Sequence, residues 1–177
     1  IVPTWFVIQD TQGNYSSIAS KEYVDQAHER GIQVWAMLNN VSTEESVAVN
    51  TEELMSSTAA REKMIDSLMQ DAREYGFDGI NLDFEGLRSE AGPHYVQFIR
   101  ELSIACRKEG IVLSIDNYVP SAYTEFYNRR EQGIVADYVI IMGYDEHYAG
   151  GEAGPVSSIS FVDNGIKDTL EVVPKEK

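Results

Sequence analysis

Gly76-Phe77-Asp78-Gly79-Ile80-Asn81-Leu82-Asp83-Phe84-Glu85-Gly86 alternates through its centre. Asn81, Asp83 and Glu85 share one parity, and Ile80, Leu82 and Phe84 share the other. A period of two is that of a β-strand, so the polar side chains project from one face and the apolar ones from the other. A helical pattern ends at Gly76 and another begins near Pro93. That context predicts parallel βα units with both faces of the strand covered. Carboxylates directed into such a structure are costly to desolvate. A strand that keeps two of them points to function more than to a structural ion pair with Arg61, Arg88 or a lysine.

The same unit recurs on either side. Thr4 to Ile8 reads as a buried strand and Asp10 to Asn14 as a turn or loop. Ser20 caps a predicted helix with Tyr23, Val24 and Ala27 on its apolar face, closed by Gly31. Val34 to Leu38 is a second strand, followed by the polar pair Asn39-Asn40 and a polar loop over Val41 to Ser57. From Thr58, the stripe Met64, Ile65, Leu68, Met69, Ala72 and Tyr75 predicts a helix stopped by Gly76. Pro93 to Glu109 is the next helix, with Pro near its first turn and Gly110 after it. Val112 to Ile115 is a strand leading into Asp116-Asn117-Tyr118. A short helical pattern around Tyr123, Phe126 and Tyr127 ends by Gly133. Tyr138 to Met142 is a fifth strand, and a last helical pattern runs up to Pro174.

Strands alternating with helices give an α/β chain with a parallel sheet, either doubly wound or a (β/α)₈ barrel. No glycine-rich phosphate loop follows a strand, which removes the mark of the dinucleotide-binding sheet. Polar residues instead gather at the C-terminal ends of strands: Asn39, Asp83, Glu85, Asn117, Tyr144 and Asp145. Barrel enzymes place their chemistry there. A complete barrel takes about 250 residues, so 177 residues predict a partial (β/α)₈ TIM barrel within one catalytic domain, residues 1–177. The start on strand-like Ile1 to Ile8 suggests an excised or processed segment. A partial barrel has open sheet edges, which could pair with another copy or lie beside strands outside this stretch.

Composition bounds the function classes. A net charge of −15 argues against nucleic acid and anionic membranes as partners. No apolar run is long enough to span a bilayer, and no signal peptide is evident. Cys106 is the single cysteine, which excludes an intrachain disulfide and a cysteine-based metal site. It lies on the stripe Tyr95, Phe98, Ile99, Leu102, Cys106 and reads as a buried structural thiol. His28 and His94 read as surface or capping residues.

Asp83 and Glu85, two positions apart on a strand, have Cβ atoms roughly 6–7 Å apart. Ionising one disfavours ionising the other. Glu85, nearer the open end, is expected to hold a proton near neutral pH, while Asp83 remains the anion or shares the proton. Tyr144 at a strand end and Tyr118 after the fourth strand are candidate contacts for a ligand, as are Asn117 and Trp5, whereas Trp35 reads as core.

The run Asp78-Gly79-Ile80-Asn81-Leu82-Asp83-Phe84-Glu85 resembles the catalytic signature of glycoside hydrolase family 18, the chitinase-like barrels. Met142-Gly143-Tyr144-Asp145 is similar to that family's second motif, at the end of its sixth strand. The extension Glu146-His147-Tyr148, with Gly150-Gly151 and Gly154-Pro155-Val156, resembles the bacterial spore-cortex-lytic branch, as do Pro3-Thr4-Trp5-Phe6 and Gly31-Ile32-Gln33-Val34-Trp35-Ala36. The resemblance implies that the strands here are about the second to the sixth of the barrel, without the first strand and the last two. Asn81 departs from the aspartate usual in chitinases; its amide is expected to hydrogen-bond Asp83.

The resemblance further implies substrate-assisted retaining hydrolysis of N-acetylglucosaminyl bonds, in spore-cortex peptidoglycan ahead of chitin-like polymers. Glu85 would be acid and base, Asp83 the partner of the substrate's acetamido group, and Tyr144 its clamp. Asn81 and Asp78 would support Asp83, and Met142 and Asp145 would line the pocket. No cofactor or metal is implied, and location would be secreted, in the cell wall or spore coat and cortex. The competing classes are a chitinase-like N-acetylhexosamine-binding protein without activity, and a metal-dependent enzyme using Asp78, Asp83, Glu85 and His147. By itself the segment is expected to be inactive or nearly so.

Overall fold

The computed structural model describes residues 1–41 and 49–177. Residues 42–48 of the expected loop over 41–57 therefore lie outside the described residues. The chain runs β1 (Thr4–Ile8), β2 (Tyr15–Ser17), α1 (Lys21–His28), β3 (Trp35–Asn39), α2 (Thr51–Ser56) and α3 (Thr58–Tyr75). It continues with β4 (Gly79–Asp83), α4 (Gly92–Glu109), β5 (Val112–Tyr118), α5 (Arg129–Val135), β6 (Tyr138–Met142) and α6 (Ile159–Leu170). One sheet has the order β2-β1-β3-β4-β5-β6. All its pairs are parallel except the β1–β2 hairpin.

Local chemistry sets the element ends. The Ser20 and Ser57 side chains accept from Tyr23 N and Ala60 N, each at 3.2 Å, and so cap α1 and α3. Gly76 (φ 76°) and Gly110 (φ 73°) end α3 and α4 in the left-handed region. Gly133 is different: α5 runs through it to Val135. A Cβ there would meet Pro174 Cδ at 3.1 Å, so this glycine permits close packing and is not the expected helix stop. Neither β2 nor α2, capped by Asn50, was expected, because each is too short to show a period.

The outer sheet face packs under the helices. Ile80, Leu82 and Phe84 are buried, and Phe84 stacks on Tyr95 and Phe98 at 5.4 and 6.0 Å. Cys106 lies in this core, where burial pushes its thiol up to about 12, as expected of a structural thiol.

On the inner face, the Trp35 ring of β3 stacks on Tyr138 of β6 at 5.3 Å and 22°. In a flat sheet those strands would lie roughly 14 Å apart, at about 4.8 Å per strand. The sheet is therefore curled toward this face, as an arc of a barrel is. Gly79 makes room for the indole, since a Cβ there would sit 2.7 Å from Trp35 Cδ1. The result is a partial TIM barrel with helices outside.

Candidate active site

Parallel register carries polar residues to one level of the arc. Asn39 pairs with Asp83, and the pair Leu82–Ile115 places Asp116 beside Asp83 on the other side. Ser114 lies opposite Asn81. The Asn81 amide donates to Ser114 Oγ (3.0 Å) and Asp116 Oδ1 (2.9 Å). Its expected bond to Asp83 is thus replaced by two bonds to β5. Asn39 Oδ1, Asn81 Oδ1 and Asp83 Oδ1 are buried with no hydrogen-bond donor among the described residues. Buried acceptors in that condition are suited to a donor brought by a ligand.

The electrostatics follow from this clustering. Burial raises the Asp83 carboxyl to about 6, and the nearby charges of Glu85 and Asp116 add to the effect. Burial also raises Asp116, against the lowering bond from Asn81. Asp83, expected from the strand pattern as the anion or the sharer of a proton, is thus a carboxyl raised by its surroundings. No salt bridge among the described residues reaches Asp83, Glu85 or Asp116. Arg61 instead pairs with Glu101 between α3 and α4 at 2.8 Å, and Arg88 is exposed.

Glu85 lies past the end of β4 and is held by long-range contacts. The Tyr118 hydroxyl donates to Glu85 Oε2 (3.0 Å) and accepts from Gly86 N (3.1 Å). The Tyr127 hydroxyl donates to Phe84 O at 3.0 Å. Beside them a cleft of about 350 Å³ is bordered by Asn50, Thr51, Gly86, Leu87 and Arg88. Met142 is buried on the same face, paired with Tyr118 in register. Tyr144 follows β6 and is 51% exposed. Its phenol is raised, first by partial burial and then by the charges of Asp83, Glu85, Asp116 and Asp145. Asp145 is exposed, with φ 60°.

Three expected site residues are not brought here. Asp78 lies at the opposite end of β4, where Oδ2 accepts from Val34 N (2.7 Å) and meets His28 Nε2 (2.8 Å). It ties two strand starts together and cannot support Asp83. Asn117 faces outward and exchanges bonds with Gln132 of α5 at 2.6 and 3.1 Å. Trp5 is buried against Tyr23 of α1, ring centroids 5.5 Å apart. A register shift between Thr4 and Phe6 makes Trp5 the extra residue of a bulge, which turns it from the inner face. His147 is engaged with Pro155 O at 2.9 Å, so the residues of the metal-dependent alternative are dispersed.

Asp116 was missed as a site residue, although alternation alone would have found it. With Leu113 and Ile115 facing the core, Ser114, Asp116 and Tyr118 must face inward.

This arrangement coincides with a match to the family model described as glycosyl hydrolases family 18, over residues 45–177. The chain belongs to that family. Among curated relatives, the uncharacterized glycosylase YvbX of Bacillus subtilis is 26% identical over 176 residues, covering 95% of this chain and 51% of that one. A cortical fragment-lytic enzyme of B. subtilis is 30% identical over 130 residues, covering 70% and 30%. The chain thus spans about half, or less, of the length of these relatives. Two solved structures have the same fold. A chitinase from Chromobacterium violaceum superposes with a TM-score of 0.84 at 24% identity, over 98% of this chain and 57% of that one. The spore cortex-lytic enzyme SleL of Bacillus cereus gives 0.85 at 22%, over 98% and 41%.

Proposed function

We propose that this chain carries the acid–base machinery of a glycosidase acting on N-acetylglucosaminyl bonds, by substrate-assisted hydrolysis with retention. The observation that carries the proposal is the pair Asp83 and Glu85 at the barrel mouth, with no salt bridge to either among the described residues. Glu101, which joins two helices, is by contrast paired with Arg61. The Glu85 carboxyl gives its proton to the glycosidic oxygen as the bond to the anomeric carbon breaks. The substrate's acetamido oxygen bonds that carbon from the opposite face, forming an oxazolinium ion. Asp83 accepts a hydrogen bond from the acetamido N–H, a role suited to Asp83 Oδ1, which has no donor among the described residues. The Glu85 carboxylate then takes a proton from water as the water oxygen bonds the anomeric carbon and the bond from that carbon to the acetamido oxygen breaks. Tyr144 steadies the acetamido group, Met142 and Asp145 line the pocket, and Tyr118 holds Glu85.

The proposed substrate is peptidoglycan of the spore cortex or cell wall, where the protein would act. The support is the names of similar proteins, a cortical fragment-lytic enzyme and a spore cortex-lytic enzyme. The chain would supply about strands two to six of a complete barrel. The test is Glu85→Gln in the full protein, with turnover of cortex fragments and chitooligosaccharides measured side by side. A fall in kcat of about 10²–10⁴-fold on the preferred substrate is expected; retention of most activity overturns the assignment.

A further inference from the structure

Glu85 lies two residues beyond the last paired residue of β4, Asp83. Its backbone is nonetheless paired. Glu85 N donates to Asn40 Oδ1 at 2.8 Å, and Asn40 Nδ2 donates to Glu85 O at 2.8 Å. A third bond, from Asn40 Nδ2 to Thr51 Oγ1 at 3.3 Å, ties the same amide to the first residue of α2.

We propose that Asn40 is a positioning residue for the acid: its side-chain amide continues the β3–β4 ladder past its end and fixes the backbone from which the Glu85 carboxyl projects. The proposal rests on the reading of Glu85 as acid and base. A carboxamide presents one acceptor and one donor in a plane, as a strand's peptide group does, so a single side chain can stand in for the missing strand residue. Among the described residues, Asn40 supplies the side-chain bonds to the Glu85 backbone on this side. Gly86 follows at φ 62°, and the staples from Tyr118 and Tyr127 come from the β5 side. Asn40 supplies the opposing grip, so the loop is pinned from both flanks. Asparagine suits the role better than its relatives. Glutamine is one methylene too long for the same plane, and aspartate keeps the acceptor for Glu85 N but has no donor for Glu85 O. An acid that must reach a glycosidic oxygen within hydrogen-bond distance is sensitive to displacements of about 1 Å, which cost on the order of 10²-fold in rate.

The experiment measures amide hydrogen exchange at Glu85 and steady-state kinetics in the full protein, for Asn40→Ala and Asn40→Asp, beside Glu85→Gln. Asn40→Ala is expected to speed exchange at the Glu85 amide at least about tenfold, with the β4 amides unchanged. Its kcat should fall about 10–100-fold with KM within about twofold. Asn40→Asp, which is isosteric, should keep protection at the Glu85 amide and give an intermediate kcat. It also decides the matter should Asn40→Ala fail to fold: loss of that protection in Asn40→Asp, or a kcat equal to that of the parent, overturns the proposal. So does an Asn40→Ala protein with parental exchange and kcat. If Glu85→Gln remains active, the acid assignment fails instead, whatever the exchange data at Asn40 show.

Discussion

The two ends of β4 carry the same residue type in opposite circumstances. At the start of the strand, Asp78 has its Oδ2 against a backbone N–H and an imidazole, at 2.7 and 2.8 Å. Near the other end, Asp83 has a buried oxygen with no donor among the described residues and two further carboxyls close enough to raise it. The first aspartate joins β3 and β4 and serves the fold. The second is kept in a state that costs stability, as groups awaiting a ligand are. The difference lies in the partners supplied, which are complete at one end of the barrel and withheld at the other.

Substitutions at the two aspartates should therefore separate cleanly. The largest effect is expected from Asp83→Asn, which should lower kcat about 10²–10³-fold in a turnover assay of the full protein. The same substitution should stabilise the fold near neutral pH. Asp83 holds its proton more tightly folded, at about 6, than unfolded, at about 3.9. Its favourable contribution is complete below the unfolded value and is lost as pH rises through about 6. Allowing for partial solvent access, the cost at pH 7 is about 1–2 kcal/mol. Denaturant unfolding at pH 4 and pH 7 should show the gain only at the higher pH.

Asp78→Ala is the counterpart: it should destabilise by about 2 kcal/mol through the orphaned Val34 N–H, while kcat measured below the melting transition stays at the parental value. A kcat loss comparable to that of Asp83→Asn would erase the contrast. The smallest effect is expected from Asp116→Asn. Removing that charge should lower the Asp83 titration midpoint toward the ordinary carboxyl value, as read by carboxyl NMR; an upward move would show that Asp116 acts on Asp83 by another route.

Much of this was legible because strand alternation is a strictly local signal. Asn81 and Asp83 were placed on one face from parity alone, and the helices α3 and α4 followed from their stripes and glycine stops. Asn117 was misplaced because β5 was ended at Ile115; continuing the alternation to Tyr118 exchanges Asn117 for Asp116. Trp5 was misplaced by a bulge, an extra residue that leaves no mark in a four-residue apolar run. Asp78 looked like a support for Asp83, since its partners His28 and Val34 are more than forty positions away. Asn40 was visible only as half of a polar pair. Whether a side chain grips a distant backbone is decided by the register between strands, which no local pattern encodes.

The Trp35–Tyr138 stack has a use apart from chemistry. It is a chord drawn across the inside of the arc, from β3 to β6, so its length reports how tightly the sheet is rolled. The chain's other tryptophan, Trp5, lies on the outer side against α1. A protein with Trp5→Phe would thus carry one emitter at the chord, and any event that opens or tightens the barrel would register as a change in its fluorescence.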